Sequence, residues 1–184
     1  MNTRNAPHTL AALILLAVLG QGLPATAQVN AADLQWQSAA DLQKVGEAKL
    51  SVLFWDVYYS RLYTDSGSYQ RGQRPLKLEI EYLLDIKSAA LVDRTRKEWD
   101  DQGLSHENQE QWLTQLLELW PDVAQNDVLV LELDASNRSR FVHNGQPLGI
   151  IEDPDFGQHF VDIWLAPTTT RPKLRLTLIG EEDS

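Results

Sequence analysis

The stretch "LFWDVYYSRLY", Leu53–Tyr63, is dense in aromatic and aliphatic residues and contains neither Gly nor Pro. A strand turns successive side chains to opposite faces. Leu53, Trp55, Val57, Tyr59, Arg61 and Tyr63 therefore share one face, and Phe54, Asp56, Tyr58, Ser60 and Leu62 share the other. Each face mixes apolar with polar groups, and neither is plainly the one that meets water. A strand of this kind fits a central place in a sheet, with helices over one face and further strands or the N-terminal lead-in over the other. What it packs against is either core or a bound molecule.

Outward from this stretch, Gly46 to Tyr63 reads as one or two strands with a bend near the start. The segment "DSGSYQRGQRP", Asp65–Pro75, is a loop by its Gly, Ser and Pro content. In "LKLEIEYLL", Leu76, Leu78, Ile80, Tyr82 and Leu84 alternate with charged residues, which predicts a half-buried antiparallel strand. Ser88 is placed to cap a helix to about Asp101, with Leu91, Val92, Thr95 and Trp99 on its apolar stripe and Gly103 ending it. Ser105 is placed to cap a second helix, with Trp112, Leu113, Leu116, Leu117 and Trp120 on one stripe before Pro121. Strands resume at Val128–Asp134 and Arg140–His143, and Asn144-Gly145 suits a tight hairpin turn into "PLGII". Asp153 and Pro154 open a third helix whose stripe is Phe156, Phe160, Ile163 and Trp164. Leu174, Leu176 and Leu178 alternate with Lys173, Arg175 and Thr177, which predicts a last strand ending at Gly180. The succession is an α+β fold, an antiparallel sheet with a layer of helices on one face.

The N-terminus stands outside that domain. Arg4 without any acid, the apolar run Leu10–Leu19 and the small-residue site Ala25-Thr26-Ala27 form a secretory signal peptide, residues 1–27, cleaved before Gln28. Gly20, Gln21 and Pro24 keep the apolar run below the roughly 18 to 20 residues of a membrane span, so no stable span is expected after cleavage. The expected location is the periplasm or the exterior. Residues 28–184 form a single domain of 157 residues, opened by a polar lead-in, Ala31–Lys44, that holds Leu34, Trp36 and Leu42 and caps the core. The chain has no Cys, hence no disulfide, thiol nucleophile or thiolate ligand. Loss of Arg4 takes the net charge from −10 to −11, and an acidic surface of that size repels nucleic acid and anionic lipid headgroups and argues against nucleic acid as a partner.

Familiar catalytic patterns are missing. His106, His143 and His159 are widely spaced and show no metal-ligand spacing, so no metal and no cofactor are expected. The acids of "EDPDFG" lack the alternation of a calcium loop and suit helix capping. Neither a Gly-x-Ser-x-Gly elbow nor a Gly-rich phosphate loop occurs.

Four pieces in order, "VGEAKLSVLFWDVYYSRLY", "NGQPLGIIEDPDF", "FVDIWLAP" and "LTLIG", resemble the bacterial branch of the chalcone isomerase-like family over about Gly46–Gly180. The resemblance implies an open-faced β-sandwich with a cleft between sheet and helices, which in plant relatives accepts a flavonoid precursor or a fatty acid. In the true isomerases an arginine near the start of the first long strand, a threonine and a tyrosine stabilise the developing charge. The arginine's place falls on Lys49, whose ammonium lacks the planar two-pronged contact. The threonine's falls on or next to Tyr58, and no Tyr follows Tyr82 to supply the third group.

Three functions are then open. A non-catalytic module would bind an apolar or amphipathic small molecule such as a fatty acid, with Lys49 and Tyr58 as polar anchors and Trp55, Trp112, Phe160 and Trp164 as walls. An isomerase or lyase acting on an enone-type or phenolic substrate would use Lys49 and Tyr58 catalytically and requires a buried Lys49. An envelope protein-interaction module would have a filled cleft and no ligand. Whether Lys49 faces a cavity or water separates them.

Overall fold

The computed structural model describes residues 41–181, which contain six strands and four helices. The signal segment, the boundary after residue 27 and most of the lead-in lie outside the described residues. In chain order the elements are β1 (Gln43–Val52), β2 (Trp55–Thr64), β3 (Leu76–Tyr82), α1 (Ser88–Gln102), α2 (Gln109–Leu119), β4 (Val128–Leu133), β5 (Ser139–His143), β6 (Gln146–Ile151), α3 (Phe156–Leu165) and α4 (Pro172–Leu178). The strands form one antiparallel sheet in sequence order, β1-β2-β3-β4-β5-β6.

The opening stretch divides at its start. Leu53 and Phe54 are not strand but the two-residue turn of the β1–β2 hairpin, because Val52 pairs with Trp55. From Tyr58 onward the alternation holds, and Ser60, Leu62 and Thr64 are buried on the inner face. Leu78, Ile80 and Tyr82 of β3, Leu129, Leu131 and Leu133 of β4 and Phe141 of β5 extend that face. Each such side chain contributes roughly 1.5 to 3 kcal/mol when fully buried. Two buried hydroxyls of β2 on this face are satisfied: Ser60 Oγ donates to the Ala48 carbonyl (3.1 Å) and Thr64 Oγ1 to that of Ser68 (2.9 Å).

The outer face carries charge. Arg61 reaches Glu47 (3.0 Å), Glu79 (3.0 Å) and Glu81 (2.7 Å) across three strands, while Arg140 holds Glu132 (2.6 Å). Lys77 lies over the ring of Tyr63, 3.9 Å from its centroid. The two faces of β2 are thus covered for different reasons: the inner one buried by apolar packing from Ser60 onward, the outer one half-covered by cross-strand charge pairing.

The helices place an aromatic layer against the inner face. Trp120 meets Phe141 (5.4 Å between centroids) and Phe160 (5.9 Å), and Phe156 stacks on Phe160 (5.4 Å). Gly103 ends α1 at φ 68°, with its own N–H and that of Leu104 closing on the carbonyls of Asp100 and Trp99. The helix starts differ from expectation. Ser88 is the first residue of α1 rather than its cap, and its N–H donates to Asp122 (3.0 Å). Helix α2 starts at Gln109, four residues after Ser105. Asp153 lies ahead of α3 and accepts from the Asp155 N–H (3.1 Å), Asn108 (2.8 Å) and Trp112 Nε1 (2.9 Å), which ties α2 to the start of α3.

The expected last strand is a helix, α4. Leu174 and Leu178 are four apart and so share a helical face as well as a strand face, and Pro172 in the first turn favours the helix. Leu178 is fully buried. This helix packs on β1 at Gly46, where a Cβ would collide with the carbonyl oxygens of Thr177 and Leu178. Gly180 ends α4 at φ 77°.

Candidate functional site

Between the inner face of the sheet and helices α1 and α3 lies a cavity of about 510 Å³. Its floor is apolar, made by Leu78 and Ile80 of β3, Leu129 and Leu131 of β4 and Phe141 of β5. Leu91 of α1, Trp120, and Phe160, Ile163 and Trp164 of α3 form the opposite wall. A volume in the range of roughly 300 to 1,000 Å³ with such a lining is that of a small-molecule site.

One end is polar. Arg94, Thr95 and Glu98 reach the cavity from α1, and Thr169 and Arg171 reach it from the segment after α3. Glu98 is buried and doubly held, by Arg94 and by Thr170 Oγ1 (2.8 Å). Thr169 Oγ1 donates to the Ile163 carbonyl (2.8 Å) and accepts from the Arg171 N–H (3.3 Å), which fixes the backbone at Arg171. The Arg171 side chain is exposed at this end.

Tyr58 joins the two regions. Its hydroxyl accepts from Trp164 Nε1 (2.8 Å) and keeps its own proton to donate. Burial is the main cause that pushes this hydroxyl up to about 12, against the Trp164 hydrogen bond. Glu98 raises it further, and Arg171 and Arg94 lower it, so these three charges act on one phenol. Tyr82, edge-on to Tyr58 at 6.4 Å, is likewise pushed well above the ordinary phenol range by burial. Both are neutral donors at physiological pH.

Compared with known proteins, the chain matches the chalcone isomerase-like family model over residues 17–180. The chain belongs to the chalcone isomerase-like family. This family member is 32% identical over 145 residues to an uncharacterized protein of Haemophilus influenzae, covering 79% of the present chain and 71% of that one. Its fold is similar to that of a fatty-acid binding protein of Arabidopsis thaliana, with a TM-score of 0.57 at 14% identity over 78% of this chain and 89% of that one.

Of the residues singled out in the sequence of this family member, Trp55, Tyr58, Phe160 and Trp164 line the cavity together. Lys49 and Trp112 do not. Lys49 sits on β1 next to the inward-facing Ala48, and its ammonium is bound to Asp56 (2.8 Å) at the surface. That carboxylate holds the ammonium above its ordinary value, the reverse of what a buried catalytic lysine requires. Trp112 is core. It stacks with His106 (4.5 Å) and meets Trp99 (6.2 Å), Phe156 (5.6 Å) and His159 (5.3 Å). His159 in turn accepts from Gln109 (2.9 Å), and burial lowers its pKa. Among the described residues no group of three or more His, Asp or Glu is placed to hold a metal ion.

The polar residues missed in the sequence are Arg94, Glu98 and Arg171. A signal existed for two of them. Glu98 continues the apolar stripe of α1 one turn beyond Thr95 and two beyond Leu91, and an acid on a buried stripe needs a cation such as Arg94 at the preceding turn.

Proposed function

We propose that this protein binds, without chemically altering, one amphipathic molecule with a long apolar chain and a carboxylate, of the fatty-acid class. The observation that carries this reading is the division of the cavity into an apolar body and a single polar end. The apolar body would take the chain, and burial drives that step. At the polar end Glu98 is already bound by Arg94, which leaves the Arg171 guanidinium and the Tyr58 hydroxyl to meet an acidic headgroup. A catalytic reading finds less support. Tyr58 and Tyr82 are held protonated, Glu98 is engaged by two donors, and Lys49 lies outside the cavity. The fatty-acid binding of the Arabidopsis neighbour is consistent with the same use of the fold. Arg4, the Leu10–Leu19 run and the Ala25-Thr26-Ala27 site further support export, so the ligand would be met in the periplasm or outside the cell.

Titration with a fluorescent fatty acid tests the reading. Saturation at one molecule per chain is expected, and Ile80→Trp, which places a ring in the cavity, is expected to abolish it while near-ultraviolet circular dichroism still reports a packed core. Undiminished binding in a folded Ile80→Trp protein would place the ligand elsewhere.

A further inference from the structure

The tip of the β1–β2 hairpin is made of four consecutive apolar residues that face water: Val52, Leu53 (89% exposed), Phe54 (99%) and Trp55 (66%). Two-residue hairpin turns favour Asn-Gly, and this chain uses that pair at Asn144-Gly145 between β5 and β6. At the β1–β2 turn it instead places Leu53 at φ 56°, a left-handed conformation that a bulky side chain adopts only at a cost. Turn geometry therefore does not account for the residues found there, and neither does packing, since the side chains touch solvent.

We infer that this hairpin tip is a membrane-insertion element that seats the mouth of the cavity on a phospholipid surface. The inference rests on the binding role proposed above, because Val52, Leu53 and Trp55 also line the cavity. Apolar residues of the tip thus line the same cavity as the chain-binding floor. Charge fits the same occupant. The acid at the root of the tip, Asp56, is neutralised by Lys49 (2.8 Å) and accepts a hydrogen bond from Ser51 Oγ (2.5 Å). Arg171, the cation at the polar end that Glu98 does not engage, opens on the same cavity and suits a phosphate headgroup. Trp and Phe are residues that settle at the level of lipid headgroups. Area argues against a protein partner: four side chains at a turn offer on the order of a few hundred Å², well short of the roughly 800 Å² that a stable protein interface takes from each side.

The test uses Phe54→Asp, since Phe54 is fully exposed and is not among the residues that line the cavity. Protein in the form its own cells process is co-sedimented with phosphatidylcholine vesicles, and fatty-acid affinity is measured separately without vesicles. The wild type is expected to partition onto the vesicles, and Phe54→Asp to partition about tenfold less or worse, with its fatty-acid affinity in solution unchanged. A wild type that stays in the supernatant, or a Phe54→Asp protein that partitions as the wild type does, overturns the inference. So does a dimer in sedimentation velocity that Phe54→Asp dissolves, which would assign the tip to a second copy. Vesicle binding that depends on Phe54 in a protein that takes no fatty acid would sustain the membrane role and remove the binding role instead.

Discussion

Removing the Arg171 side chain isolates headgroup recognition from chain burial. The guanidinium lies at the polar end of the cavity, exposed, while the neighbouring Arg94 is occupied by Glu98. A hydrogen bond to a charged partner contributes roughly 1.5 to 3 kcal/mol, and solvent screening at an exposed guanidinium brings the expectation to the lower end. Arg171→Ala is therefore expected to weaken a fatty acid by about tenfold, since about 1.4 kcal/mol corresponds to one decade. A fatty alcohol of the same length buries the same chain but carries no charge, so its affinity should fall less than about twofold on the same scale. Isothermal titration of both ligands against both proteins closes a cycle that reports only the charge–guanidinium coupling. The thermal midpoint should stay near that of the wild type because Arg171 is exposed. Equal losses for acid and alcohol, or no loss for either, would refute the placement of the headgroup at Arg171.

Other consequences follow from burial and charge. Shortening the fatty acid by two methylenes should weaken it about 15-fold, at roughly 0.8 kcal/mol per buried methylene, in both the wild type and Arg171→Ala; a flat length series would contradict an apolar cavity. Gly46→Ala should cost roughly 1 to 3 kcal/mol in urea unfolding, because its Cβ meets two carbonyls of α4; an unchanged midpoint would contradict the packing of α4 on β1. The Asp127 carboxyl is held down to about 2, chiefly by the Ala124 N–H and then by Asn144 and His143. A depressed carboxylate stabilises the fold above its unfolded pKa, so this contribution is whole above about pH 4 and lost as pH falls toward 2. Asp127→Asn should flatten that part of the acid unfolding curve, and a curve as steep as that of the wild type would refute the assignment.

The alternation after residue 57 was legible because strand periodicity is strict, and β3, β4 and the Asn144-Gly145 hairpin were legible for the same reason. Leu53 and Phe54 were misread as strand because nothing in their chemistry marks a turn; only the pairing of Val52 with Trp55 reveals it. Helix α4 was misread because Leu174 and Leu178, four apart, satisfy both periods, and over so short a segment Leu176 between them completes a strand alternation. At the site, the walls Phe160 and Trp164 were accessible from the helical stripe they share, whereas Tyr58 was reached through the family resemblance and strand alternation alone sets it on the face opposite Trp55. Which cation stands at the polar end was not accessible. Lys49 held the place of the isomerase arginine in the chain, but strand parity turns it away from the inward-facing Ala48 and toward Asp56. The cations that do open on the cavity come from α1 and from the turn before α4, so their convergence depends on how the helices pack, a long-range property no local pattern encodes. Trp112 shared its predicted stripe with Trp120, which lines the cavity, yet falls into the cluster around His106 and His159.

The most direct measurement is native mass spectrometry of the protein recovered from its own cells, followed by denaturing extraction of whatever it carries. The account predicts a single adduct per chain that extracts as a long-chain carboxylic acid and is depleted in Arg171→Ala. A bare mass from the cells that stays bare after incubation with fatty acids would contradict it.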